Sequence, residues 1–160
     1  MAQTQVSTNG THHELDSPPW HRIDGTIMST AHEIRLYYDR VYEAIGLSLP
    51  EACVVALVAE SGGLTQTQIA HTLDVGRASI GIRIDDLEKR GLVERLPHAT
   101  DRRVWLIEAT DSGKALLDKI KELDRDARTQ LRSGISHKQR QELAAILVRI
   151  RQNIMPDIAE

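Results

Sequence analysis

Residues 64–93 read LTQTQIAHTLDVGRASIGIRIDDLEKRGLV, and this stretch decides the fold. Thr65 stands where a side-chain oxygen caps a helix, and Gln68 follows three residues later to complete a capping box. Ile69 and Leu73 fall on the inner side of the short helix that results. Asp74, Val75 and Gly76 form a tight turn. Beyond it Ile80, Ile84 and Leu87 recur at spacings of four and three, and Gly91 stops the second helix. Two short helices joined by a glycine-bearing turn form a helix-turn-helix.

A helix-turn-helix meets DNA when its second helix enters the major groove. At about 100° per residue, turning Ile80, Ile84 and Leu87 inward sends Ala78, Ser79, Gly81, Ile82, Asp85, Asp86 and Lys89 outward. The small residues at the start of that face let the backbone approach a duplex closely. Thr65, Gln66, Arg77 and Arg83 complete the candidate DNA-binding set on these two helices.

Downstream, GLVERLPHATDRRVWLIEATDSG (residues 91–113) holds two short strand-like runs around a loop with His98, Asp101, Arg102 and Arg103. Neither run is long enough to stand as a sheet alone. Beside a reading helix, a loop tipped with Arg102 and Arg103 can reach phosphates or the minor groove, so the hairpin is expected to be a wing. Between Arg77 and Arg103 seven basic residues face five acidic ones, a small local excess against a whole-chain charge of -3. Asp101 precedes Arg103 by two positions, where its carboxylate can fix the loop or orient the guanidinium.

Upstream, TIMSTAHEIRLYYDRVYEAIG (residues 26–46) spaces Ile27, Ile34, Val41 and Ile45 along one face of a long helix ended by Gly46. Ser48 and Pro50 then mark a capped second helix. After the wing, Thr110 caps a helix striped with Leu116, Leu117, Ile120 and Leu123. A last helix from about Ser136 carries Leu143, Ile146, Leu147, Ile150 and Ile154. The fold class is therefore mainly α with a small β wing. Residues 1–19 are polar and expected to be a flexible tail.

Three patterns together resemble the MarR/SlyA family of winged helix-turn-helix transcriptional regulators: LTQTQIAHTL, IDDLEKRGLVER and DRRVWLIEATDSG. The last fits the family's wing pattern through Asp101, Arg103, Thr110 and Gly113, and the likeness runs from about Gly25 to Ile154. Ile82 departs from it, standing where the family often has arginine, as does Ala109 in place of leucine. The resemblance implies an intertwined homodimer on a pseudo-palindromic double-stranded DNA operator. Dimerisation segments at 20–47 and 111–160 would flank a winged domain at 48–110.

The resemblance also implies a small-molecule effector, an aromatic or phenolic carboxylate or its coenzyme A thioester, that releases a repressor from DNA. The chain has five aromatic residues and no phenylalanine, and four of the five gather at Trp20, Tyr37, Tyr38 and Tyr42. With the cations and polar groups of His21, Arg22, His32, Arg35 and Arg40, and with Cys53, they form the candidate effector set. Packing of the tyrosines in the dimer core, in place of phenylalanine, is the competing reading. Cys53, the single cysteine, opens the alternative of redox sensing, although the apolar run CVVALVA favours a buried thiol. A third alternative is a winged-helix protein-interaction module that does not read DNA. No catalytic motif, metal site or cofactor site is expected. Without a disulfide pair, an apolar run of membrane length or a signal-peptide pattern, the expected location is the cytoplasm.

Overall fold

The computed structural model describes residues 23–98, 100–101 and 103–154. The expected tail at 1–19, together with Trp20, His21, Arg22 and Arg102, lies outside the described residues. The chain divides into two compact units, with the division between Ile120 and Lys121.

The first unit opens with α1 (Ile23–Glu43). Its end is a glycine stop: Gly46 takes φ 68°, the Leu47 amide donates to the Tyr42 carbonyl at 3.1 Å and the Gly46 amide to Glu43 at 2.9 Å. Helix α2 (Leu49–Ser61) follows at once. The Ser48 amide and hydroxyl both donate to Glu51 Oε2, at 2.7 and 2.6 Å. Asp39 of α1 accepts the Leu49 amide at 2.7 Å, which ties the two helices at their elbow.

Next come β1 (Leu64–Thr65), α3 (Gln66–Thr72) and α4 (Arg77–Lys89). The capping box read from the sequence is present. The Gln68 amide donates to Thr65 Oγ1 at 3.2 Å, and the Thr65 amide donates to Gln68 Oε1 at 2.8 Å. At the far end of α4 Gly91 has φ 68°, and the Leu92 amide reaches back to the Leu87 carbonyl at 2.9 Å.

Strands β2 (Val93–Pro97) and β3 (Trp105–Ala109) form the expected hairpin, paired from Val93↔Ala109 to Pro97↔Trp105. The sheet has a third strand that the sequence reading did not foresee. β1 pairs antiparallel with β3 through Leu64↔Ile107 and Thr65↔Leu106, giving the order β1-β3-β2. This edge answers the instability of a lone hairpin, because a third strand joins it to the start of α3.

Helix α5 (Asp111–Leu131) begins in this unit. Thr110 caps it, accepting the Gly113 amide at 3.1 Å and donating to the Gly91 carbonyl at 2.6 Å. A Cβ on Gly113 would stand 2.1 Å from the Leu92 carbonyl oxygen, so only glycine lets α5 leave the wing so closely. The core is aliphatic: Val54, Val55 and Val58 meet Ile69, Ile80, Ile84, Leu87, Val93 and Ile107, all at most 1% exposed.

The second unit contains the rest of α5 and α6 (His137–Ile154). Gly134 turns at φ 73° and Ser136 caps α6, accepting the Gln139 amide at 3.2 Å. No residue of α6 is buried, and Leu143, Ile146 and Val148 are each more than half exposed. No helix among the described residues is long and apolar enough to cross a membrane.

Candidate nucleic-acid interface

Ile80, Ile84 and Leu87 are all fully buried, so the rotation of α4 about its axis is fixed by the core. That rotation leaves Arg77, Ala78, Ile82, Asp85, Asp86 and Lys89 exposed, with Ser79, Gly81 and Arg83 partly so. The outward face is therefore the one expected from the spacing.

Two members of the candidate set are already engaged within the protein. Thr65 uses its hydroxyl in the cap of α3. Gln66 donates from Nε2 to the Arg77 carbonyl at 2.9 Å, bracing the first turn of α4 against α3. Gly81 makes room for it, since a Cβ there would lie 2.9 Å from that same nitrogen. Arg83 is half-buried, and its Nε is enclosed without a hydrogen-bond partner.

Charge on this face is sorted by pairing. Arg95 of β2 reaches α4 with both guanidinium nitrogens, meeting Asp85 at 2.5 Å and Glu88 more closely still. Burial opposes the charge on Arg95, but the hydrogen bonds to Asp85 and Glu88 outweigh it and hold its pKa above the usual arginine value. Arg90, at the end of α4, donates to the Gly46 carbonyl at 2.5 Å and to Glu51 Oε1 at 2.8 Å, and pairs with Asp86 at 3.6 Å. Desolvation pushes the Glu51 pKa up. The Ser48 hydrogen bonds and the Arg90 charge prevail and leave it below the usual glutamate value. The three acids of this end of α4 are thus paired with two arginines: Asp85 and Glu88 share Arg95 of β2, and Asp86 meets Arg90 at the helix's own end. Among the described residues no ion pair engages Arg77, Lys89 or Arg103.

The wing loop is shaped by Asp101. Its Oδ1 accepts the Arg103 amide at 2.9 Å and its carbonyl accepts the Val104 amide at 3.0 Å. The His98 amide closes the loop on the Val104 carbonyl at 2.9 Å. Arg103 is exposed at this tip.

The candidate effector residues are only partly brought together. Tyr38 lies between Tyr37 and Tyr42, with ring centroids 5.8 and 6.0 Å apart, the first pair edge-on and the second stacked. Tyr42 is 3% exposed and belongs to the core of its own chain. His32 and Arg35 are exposed on α1, and Cys53 is half-buried in the second turn of α2. A hollow of about 490 Å³ opens at the elbow of α1 and α2, lined by Leu36, Asp39, Arg40, Glu43, Gly46, Leu47 and Ser48. Of the candidate effector residues, Arg40 alone is among those that line it. Glu51, Arg90 and Arg95, which organise the charges around α4, carry no sequence signal beyond the N3 position of Glu51 in a capping box.

Comparison with known proteins places this arrangement. Residues 45–104 match the MarR family model. The HTH-type transcriptional regulator PecS of Dickeya dadantii (strain 3937) is 28% identical over 145 residues, covering 89% of this chain and 87% of PecS. The crystal structure of the transcriptional regulator SlyA superposes with a TM-score of 0.73 at 25% identity, over 83% of this chain and 94% of that one. BpsR of Bordetella bronchiseptica, described by a mechanism for regulation of its DNA binding by 6-hydroxynicotinic acid, shares the fold. Its TM-score is 0.75 at 15% identity, over 84% and 96% of the two chains. The helix-turn-helix, the wing pinned by Asp101 and the tight exit at Gly113 agree with these likenesses: residues 45–104 match the MarR family, and the chain as a whole is similar to winged helix-turn-helix transcriptional regulators of that kind.

Proposed function

We propose that the protein is a homodimeric, sequence-specific DNA-binding repressor that lays α4 in the major groove and Arg102 and Arg103 of the wing against the backbone or minor groove. The observation that carries this reading is the sorting of charge around α4. Asp85 and Glu88 share the single charge of Arg95, while Arg77, Lys89 and Arg103 have no ion-pair partner among the described residues. A face intended for another protein would have no need to offset its acids in this way and leave its cations unpaired. Thr65, Ala78, Ser79, Gly81, Ile82 and Arg83 complete the proposed surface, with Gln66 as the brace beneath it.

The dimer is supported by α6, whose Leu143, Ile146, Leu147 and Val148 are between 39 and 56% exposed and would be covered by a second copy. In this reading segments 20–47 and 111–160 form the dimer, 48–110 is the reading head, and each half-site of a pseudo-palindrome meets one copy.

The effector is an aromatic or phenolic carboxylate or its coenzyme A thioester. Tyr37 and Tyr38 supply rings that are not fully buried, and His32 and Arg35 supply polar and cationic groups on the same helix. Trp20, His21, Arg22 and Cys53 complete the proposed set. The 6-hydroxynicotinic acid of BpsR, a fold relative, is a compound of this kind. Release requires the ligand to prefer one spacing of the two reading heads, and a thousandfold preference corresponds to about 4 kcal/mol. The test is a thermal-shift screen of aromatic acids and thioesters, followed by gel shift on DNA flanking the protein's own gene. The expected result is a retarded complex that a stabilising acid dissolves. Retardation that only an oxidant abolishes, and that Cys53→Ser protects, would replace this effector with the thiol.

A further inference from the structure

Ile82 is the one large apolar side chain of α4 that the core does not take: it is 72% exposed, while Ile80, Ile84 and Leu87 on the same helix are fully buried. A scattered surface isoleucine is ordinary on its own. Its setting is less so. Ala78 lies one turn before it on the same side of the helix and is also exposed, so the two form a short apolar strip along the outer face of α4. Ser79 and Gly81 beside the strip are small. Gln66 is drawn away from it to the Arg77 carbonyl at 2.9 Å. Asp85, three residues on, is held by Arg95 at 2.5 Å. Arg77 and Lys89 sit at the two ends of the helix, where phosphates would be met. The middle of the face therefore offers mainly apolar contact area, with the Ser79 hydroxyl to one side of it.

We propose that Ile82, supported by Ala78, reads the C5-methyl group of a thymine in the major groove and so sets the base preference at one position of each half-site. The reasoning rests on the DNA-binding reading above. Among the groups that base pairs present in the major groove, the thymine methyl alone is apolar, and it is the natural partner of an exposed aliphatic side chain. A polar edge placed there would lose its water and gain no partner, which disfavours guanine or adenine at that contact. Burying one methyl group contributes about 0.8 kcal/mol, so the preference for thymine over uracil is about fourfold at each site.

The experiment separates the methyl from everything else on the base, because uracil pairs as thymine does and lacks only that group. A duplex is selected from a random library by the full-length protein, and each thymine in turn is replaced by uracil. Affinities are then measured for the wild type and for Ile82→Ala, whose folding is checked by thermal melting. One thymine per half-site is expected to show about a fourfold penalty with the wild type, and that penalty is expected to vanish with Ile82→Ala. The proposal is overturned if every uracil duplex binds the wild type as tightly as its parent, or if the penalty persists undiminished in Ile82→Ala. Failure to select any duplex would overturn the DNA-binding reading itself, an outcome distinct from binding that ignores the methyl.

Discussion

Gln66 lies across Gly81: the side-chain nitrogen that braces the Arg77 carbonyl sits 2.9 Å from the place where a Cβ on residue 81 would stand. Position 81 therefore couples helix stability to the seating of α4. Gly81→Ala should gain about 1 kcal/mol in helix propensity and lose a hydrogen bond of similar size as Gln66 is displaced. The expected outcome is a melting temperature within a few degrees of wild type, with DNA affinity at least threefold weaker. A gel shift and a thermal melt on the same preparation check it, and unchanged affinity would deny Gln66 its bracing role.

Arg95→Ala should weaken DNA binding although Arg95 is not itself at the proposed contact surface. The substitution frees two carboxylates, Asp85 and Glu88, beside the phosphates. Affinity is expected to fall about tenfold or more at low salt, and the defect should shrink as salt screens the freed charge. Adding Asp85→Asn should restore part of the loss. A double variant as weak as Arg95→Ala would mean that the arginine acts by holding β2 against α4 instead.

Asp101→Ala gives a sign test of the wing. Electrostatics alone predicts tighter DNA binding when a negative charge is removed. The hydrogen bond from the Arg103 amide to Asp101 at 2.9 Å predicts the reverse, because the loop tip loses its shape. Weaker binding is expected, approaching the more than tenfold loss expected for Arg103→Ala. Arg102→Ala should lower affinity evenly across sequences and reduce the salt slope, as a phosphate contact does. Titrations of the three variants against one duplex at several salt concentrations decide the matter.

Much of this architecture was legible in the sequence because it is local. Thr65 with Gln68, and Ile80 with Ile84 and Leu87, are separated by one turn of helix, and Gly46 and Gly91 stop helices by their own backbone freedom. What escaped notice depends on partners distant in the chain. β1 is two residues long and exists only by pairing with β3, some forty positions later. The links of Arg90 to Glu51 and of Arg95 to Asp85 join residues that no periodicity relates. The aromatic cluster shows a different limit. Proximity in sequence placed Tyr37, Tyr38 and Tyr42 together, yet rotation along α1 sends Tyr42 into the core and leaves the other two half-buried.

Glu51 predicts a pH dependence of stability. Its folded pKa is lowered, so its contribution is present above the usual glutamate value and is lost as pH falls through the folded value. Glu51→Gln should be destabilised by about 1 kcal/mol near neutral pH, and the gap to wild type should close as pH falls below the usual glutamate value. Denaturant melts of the two proteins across that range measure it, and a gap independent of pH would remove the charged interaction with Arg90 from the account.

The central claim is that α4 and the wing read a DNA sequence. Its most direct measurement is a competition titration by fluorescence anisotropy at physiological salt, with a duplex selected by the full-length protein set against a scrambled duplex of equal length and composition. The account predicts at least a thousandfold preference for the selected duplex, with two chains bound per duplex. Equal affinity for the two duplexes, or a single chain on a saturated site, would contradict it.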